Sequence, residues 1–335
     1  MYQLRTCLLR SRPLQQRAKS STAERAADKL YEEETNPHIS INDYFPVNIG
    51  DLSCERYQIS AKLGHGGQAT VWLARDLDQS PSSQFVALKI GVSDSAVKKR
   101  SIDDKLIMLR HINSGDVKHP GFGIIRHSTH SFVMEMSSGG RYSCLVFQPL
   151  REPVDRLRDS FKNQHLPISV LPSMARPLLQ GLDYLHRDRK AVYTNFKPGN
   201  ILFSFPTPQI EQKACLKLEE YERRNPSPEK HLPDRRTVYL SWRFPTFNIR
   251  RESLGIPTII DTEIADRVDT GEKPVQSLMN RNYPALEAFI GQLWNYPVEI
   301  WALGLTLCHF VEGHDPFGRK CSPIGRRSDT EQAQE

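Results

Sequence analysis

None of the six cysteines (Cys7, Cys54, Cys144, Cys215, Cys308 and Cys321) stands in a Cys-x-x-Cys pair. Neither a zinc site nor a disulfide framework is therefore indicated. No apolar run reaches the roughly 18 residues that a transmembrane helix needs, so no membrane span is expected. Neither sign of charge dominates. The 45 Lys+Arg against 39 Asp+Glu leave a net charge of +6, which suits an anionic ligand without demanding nucleic acid. The N-terminus has no acidic residue before Glu24. What is present is ordinary for a globular chain, with 25% charged and 9% aromatic residues. A length of 335 residues allows a large core in one large domain or two lobes.

The acid-free start carries Arg5, Arg10, Arg12, Arg17 and Lys19 among Leu4, Leu8, Leu9 and Leu14. Such a segment reads either as a mitochondrial transit peptide or as a disordered basic tail. On both readings residues 1–35 stay out of the fold.

The first strand signals are "YQISAKLG" and "ATVWLARD", which alternate apolar and polar residues. Between them lies Gly64-His65-Gly66-Gly67. A glycine-rich turn between strands lets backbone N–H groups approach phosphate oxygens with no Cβ in the way, although a plain hairpin also uses glycine. The next strand, "FVALKIGVS", has one lysine, Lys89, at its centre. A lysine there is costly to bury without a partner, unless the strand is an edge and the side chain faces water. "YSCLVFQPL" reads as a further strand, "LLQGLDYLH" as a helix, and "PVEIWALGLTLCHFVEG" as a helix apolar nearly all round.

In order and spacing these segments, with "AVYTNFKPGN" and "PTIIDTEIADR", resemble a protein kinase of the SR-protein-kinase group over about residues 40–318, the fungal SR-kinase-like members most of all. The resemblance implies an α+β, bilobal fold. Residues 36–150 would form a small β-rich N-lobe with its hinge. Residues 151–318 would form a helical C-lobe lacking its last helices, followed by a disordered tail at 319–335. It implies ATP and Mg2+ as cofactors and Ser/Thr phosphorylation of Arg/Ser-rich splicing factors, with no direct nucleic-acid binding. It places the chain in the cytoplasm or nucleus, or in mitochondria if the first segment is an address.

Carried over by residue, Leu63, Gly64, Gly66, Val71 and Ala87 surround the nucleotide, and Lys89 holds the α- and β-phosphates. Phe147 is the gatekeeper, and Gln148 to Leu150 form the hinge. Lys197 reaches the γ-phosphate, and Asn200 and Asp261 bind magnesium. Glu287 matches the glutamate of Ala-Pro-Glu, and its arginine partner would lie in the missing segment.

The departures from that pattern are several. Asn195 stands where the catalytic aspartate belongs, and Tyr193 replaces the preceding histidine. Asp-Phe-Gly reads Asp261-Thr262-Glu263, and Glu299 replaces an aspartate of the large C-lobe helix. The helix glutamate that pairs with the β-strand lysine aligns with Lys105. A shifted helix register would offer Asp103 or Asp104 in its place. An amide cannot take a proton from a hydroxyl, and loss of a general base costs about 10²–10⁴-fold in rate. Asn195 can still orient the hydroxyl, because phosphoryl transfer rests chiefly on positioning and charge stabilisation.

Residues 203–257 are an insertion expected to hold a short helix, a solvated loop around Pro-Ser-Pro and a strand at "TVYLSWRF", forming a surface excursion. The functional readings are three. The chain is an ATP-dependent kinase slowed at Asn195, a pseudokinase that binds nucleotide or partners, or a truncated and non-functional kinase.

Overall fold

The computed structural model describes residues 6–7, 9–10, 30–80, 84–96, 100–136, 139–154, 166–234, 236–244, 255–269, 283–290, 292, 294–314 and 316. Most of the acid-free segment and the 319–335 tail lie outside the described residues.

The strands are β1 (Thr6–Cys7), β2 (Leu9–Arg10), β3 (Leu52–Ser53), β4 (Tyr57–Gly66), β5 (Ala69–Asp76), β6 (Phe85–Gly91), β7 (Ser128–Glu135) and β8 (Arg141–Phe147). They form one sheet in the order β1-β7-β8-β6-β5-β4-β3-β2. Every pairing is antiparallel except β1 with β7. Alternation along these strands places Ile59, Trp72, Leu88, Phe132 and Val146 in one buried cluster. Leu145 and Phe147 pack on the other side against α1 (Ile102–Asn113), through its Ile102, Leu106 and Leu109. α1 opens on a capping box: Ser101 Oγ accepts the Asp104 N–H at 3.1 Å, and Asp104 Oδ2 accepts the Ser101 N–H at 3.1 Å.

Helices follow the sheet. α2 (Leu171–Asp183) buries Met174, Leu178, Gly181 and Leu182 on one face. A Cβ at Gly181 would come within 2.9 Å of Ile124 and 3.1 Å of Ile259, so glycine lets α2 close on the strand behind the cleft. β9 (Ala191–Val192) and β10 (Ile201–Phe203) bracket the loop 193–200. α3 (Pro208–Arg224), β11 (Glu229–His231), β12 (Thr237–Tyr239), β13 (Pro257–Ile259), β14 (Asp266–Arg267), α4 (Leu286–Phe289) and α5 (Pro297–Glu312) complete the described elements. A mainly antiparallel N-terminal sheet followed by helices is an α+β arrangement consistent with the kinase fold. None of the described helices is long and apolar enough to cross a membrane.

Three expectations need correction. The first concerns residues 1–35, which do not all stay outside the fold. Tyr31 and Glu33 are buried, and Lys62 Nζ, fully buried on β4, meets Glu32 Oε2 at 2.7 Å, Glu33 Oε1 at 2.6 Å and the Tyr239 carbonyl at 2.7 Å. Three acceptors satisfy the three donors of a buried ammonium, which anchors the segment to the sheet. The backbone of Thr6–Cys7 also pairs with β7, and that of Leu9–Arg10 with β3.

The second concerns residues 203–257, expected as a surface excursion with a short helix at its start: the helix is there, and the described part of the segment packs on the sheet. Their ends, Phe203 and Pro257, are β-partners. α3 lays Ala214, Cys215 and Leu218 against Ala61, Leu73 and Phe85 of the sheet. Glu219 bonds Ser60 Oγ at 2.7 Å and Arg75 Nε at 2.6 Å. The expected loop contains the β11–β12 hairpin, and the strand expected at "TVYLSWRF" covers only Thr237–Tyr239. The third concerns the cysteines: Cys54 takes part in a disulfide. Cys-x-x-Cys spacing marks only cysteines that are neighbours in sequence.

Candidate active site

A cleft of about 1060 Å³ lies between the sheet and the helical part. It is lined from above by Leu63, Gly64, Gly66, Val71 and Lys89, at the linker by Leu150, and from below by Asn195, Lys197, Asn200 and Asp261. The structure thus brings together ten of the thirteen residues picked from sequence. Ala87, Phe147 and Gln148 lie behind or beside it. Ala87 and Phe147 are Cα partners in the sheet, and the Phe147 side chain joins the core under α1. The Gln148 carbonyl accepts from Arg126 at 3.0 Å, and its side-chain amide donates to Glu211 at 2.7 Å.

The glycine-rich turn joins β4 to β5. A Cβ built at Gly64 or Gly67 meets nothing within 4 Å, so protein packing does not demand glycine at either place. The turn is held from outside the cleft. Asn36 Nδ2 donates to the Gly67 carbonyl at 2.9 Å, the Tyr44 hydroxyl donates to the Gly66 carbonyl at 3.2 Å, and His65 Nδ1 lies 3.1 Å from Glu32 Oε2. Sequence reading missed Asn36 and Tyr44, because no local pattern marks a residue that braces a turn some 22 to 31 positions away.

Lys89 reaches across the cleft to two carboxylates, Asp261 Oδ1 at 2.6 Å and Glu263 Oε1 in a shorter contact. Burial alone would push its ammonium down. The two carboxylates outweigh that and hold it above the ordinary lysine range. Burial likewise pushes Asp261 up, and Lys89 outweighs it, so the carboxyl is held below its usual range. At neutral pH the pair is ionised on both sides. Asp261 adopts the left-handed backbone, φ 62° and ψ 28°, which aspartate tolerates better than most residues. Neither Asp103 nor Asp104 substitutes for the helix glutamate: Asp104 caps α1, and Asp103 lies 3.9 Å from Arg141.

The loop 193–200 is braced from within. Asn200 Nδ2 donates to the Tyr193 hydroxyl at 2.8 Å and to the Asn195 carbonyl at 3.0 Å. That uses both amide hydrogens and leaves the Asn200 oxygen as its acceptor. Among the described residues no cluster of three or more His, Cys, Asp or Glu could hold a metal. A hard cation here would have the Asn200 and Asp261 oxygens and would draw its remaining oxygens from a phosphate ligand and water.

No protein-family model matches the chain. Among curated proteins, a serine/threonine protein kinase of Aspergillus fumigatus is 29% identical over 301 residues, covering 89% of this chain and 68% of that one. The serine/threonine-protein kinase SRPK of Physarum polycephalum is 25% identical over 289 residues, 84% of this chain and 66% of that one. Protein kinase dsk1 of Schizosaccharomyces pombe is 35% identical over 192 residues, 57% of this chain and 33% of that one. The chain thus spans about two thirds of the first two relatives and one third of the last. By this distant homology it is related to the serine/threonine protein kinases, with SRPK-like homologues at 25–35% identity.

Proposed function

We propose that the chain binds Mg-ATP in the cleft and belongs functionally with the SR-protein-kinase-like enzymes. It would transfer the γ-phosphate to Ser/Thr of Arg/Ser-rich proteins at a rate lowered by Asn195. The observation that carries the reading is the juxtaposition of Lys89 and Asp261 below a glycine turn whose Cβ positions open on unfilled space. Those open positions fit a cradle for phosphate oxygens, and the hard oxygens of Asn200 and Asp261 fit magnesium. Lys89 and Lys197 would neutralise phosphate charge, while Leu63, Val71 and Leu150 would pack on the base. Bound magnesium would supply further positive charge at the phosphates. Asn195 orients the acceptor hydroxyl and takes no proton from it. That same residue favours a second reading, a nucleotide-binding pseudokinase.

Titration calorimetry on the purified chain, with radiolabel transfer measured on the same sample, tests both readings. Mg-ATP binding is expected, and Lys89→Met should weaken it at least about tenfold, since a phosphate contact made by a charged hydrogen bond is lost. No binding at millimolar ATP would reject nucleotide binding. Binding without transfer to an Arg/Ser-rich peptide would select the pseudokinase.

A further inference from the structure

We propose that Glu263 is the positioning residue that holds Lys89 in the cleft, so that the charge order of the α1 contact is inverted in this chain. The proposal rests on the nucleotide-binding reading above.

Two carboxylates meet one ammonium, and they differ in setting. The Glu263 side chain is 5% exposed and the Asp261 side chain 29%. Both line the cleft, and Asp261 is the more open of the two to whatever enters it. A cation or a second charged group arriving there competes with Lys89 for Asp261. Glu263 is shielded from that competition and keeps the lysine when Asp261 turns to a ligand.

The surrounding charges agree. α1 presents no acid to Lys89. It presents Lys105, which lines the same cleft. Burial lowers the Lys105 ammonium, the Glu263 carboxylate works against that, and Lys89 adds to it. Just before α1, Arg100 donates to the Ala265 carbonyl at 2.6 Å and pairs with Asp266. Toward this turn the helix side is therefore cationic, with Arg100 and Lys105, since Asp104 is engaged in the helix cap and Asp103 lies beside Arg141, and the segment after Asp261 is anionic, with Glu263 and Asp266. An acid on α1 would meet Glu263, and Glu263 without Lys89 and Lys105 would be a buried uncompensated charge. The anchor of Lys89 thus lies two residues from Asp261, in the turn Thr262–Ile264, and does not depend on α1.

Titration of the full chain with Mg-ADP and with adenosine tests this, because Lys89 would touch phosphates and not the nucleoside. Glu263→Gln, equal in volume, should weaken Mg-ADP about tenfold, the size of one lost charge-assisted contact, and leave adenosine within about twofold. Lys105→Glu alone should weaken Mg-ADP, since it sets two acids side by side. In the Glu263→Gly background it should restore Mg-ADP affinity to within about threefold of wild type, the sign reversal of a coupled pair. Wild-type Mg-ADP binding that Glu263→Gln leaves unchanged would overturn the proposal. So would equal losses of Mg-ADP and adenosine, which mark a merely structural role. If Glu263→Gly does not melt cooperatively, Glu263→Gln decides alone. Failure of the wild-type chain to bind Mg-ADP at all would instead remove the nucleotide reading on which the proposal stands.

Discussion

The backbone N–H of Tyr193 donates to Glu299 Oε1 at 2.8 Å, and the other oxygen of that carboxylate lies 2.6 Å from His186 Nε2. Glu299 is wholly buried on α5. It ties the loop carrying Asn195, Lys197 and Asn200 to the helical core. Burial raises its pKa, and His186 acts against that rise.

Glu299→Ala leaves a buried backbone N–H and an imidazole nitrogen without an acceptor. Each such group costs about 1–3 kcal/mol, so a loss of about 2–4 kcal/mol is expected. Glu299→Gln retains one acceptor and should lose less. Urea unfolding of the three proteins measures both, and an alanine variant as stable as wild type would show that the loop does not hang on Glu299.

On the proposed function, Asn195→Asp places a basic oxygen at the position proposed to face the acceptor hydroxyl. Phosphoryl transfer to an Arg/Ser-rich peptide should rise by about 10²-fold if base loss is the main defect. Mg-ADP affinity should not change. An unchanged rate would place the limit elsewhere, in the cleft charges or in peptide binding.

Leu218 is 1% exposed, against Ala61, Leu73 and Phe85. If residues 203–257 are part of the core of the sheet, Leu218→Ala should destabilise the chain by about 2–4 kcal/mol. Glu219→Ala removes a partly exposed pair with Arg75 and should cost less than about 1 kcal/mol. A surface excursion would leave both variants at wild-type stability in denaturant titrations.

Glu211 on α3 is raised from 4.5 to about 7, by burial first, with the Gln148 hydrogen bond acting against it. A carboxyl whose folded pKa exceeds its unfolded value binds its proton more tightly when folded. Its contribution to stability is complete below pH 4.5 and is lost as pH rises through about 7. Glu211→Gln should melt above wild type at pH 8, with the gap closing as the pH falls toward the ordinary carboxylate range. Parallel melting curves from pH 5 to 8 would show that Glu211 is not perturbed.

The order of elements and most of the candidate site were legible in the residues themselves. Alternation marks β4 and β5, because successive side chains of a strand point to opposite faces, while β6 and β8 are marked by apolar runs that the sheet buries on both faces. The glycine turn, Lys89, the loop 193–200 and Asp261 stand in a spacing that resembles a protein kinase's, and all of them line one cleft. The partner of Lys89 was not legible. Lys89 and Glu263 lie 174 positions apart, and a sequence does not state which way a buried carboxylate turns. Only folding brings Glu263 under α1 and folds Glu32 and Glu33 onto Lys62. The same holds for residues 203–257, where a charged composition pointed to water. Alanine, cysteine and leucine at helical spacing on α3 found an apolar strand face that no local pattern reveals. Composition states how much of a segment is polar. Whether its few apolar residues share one face, and whether another element offers a face to cover it, is decided by three-dimensional packing.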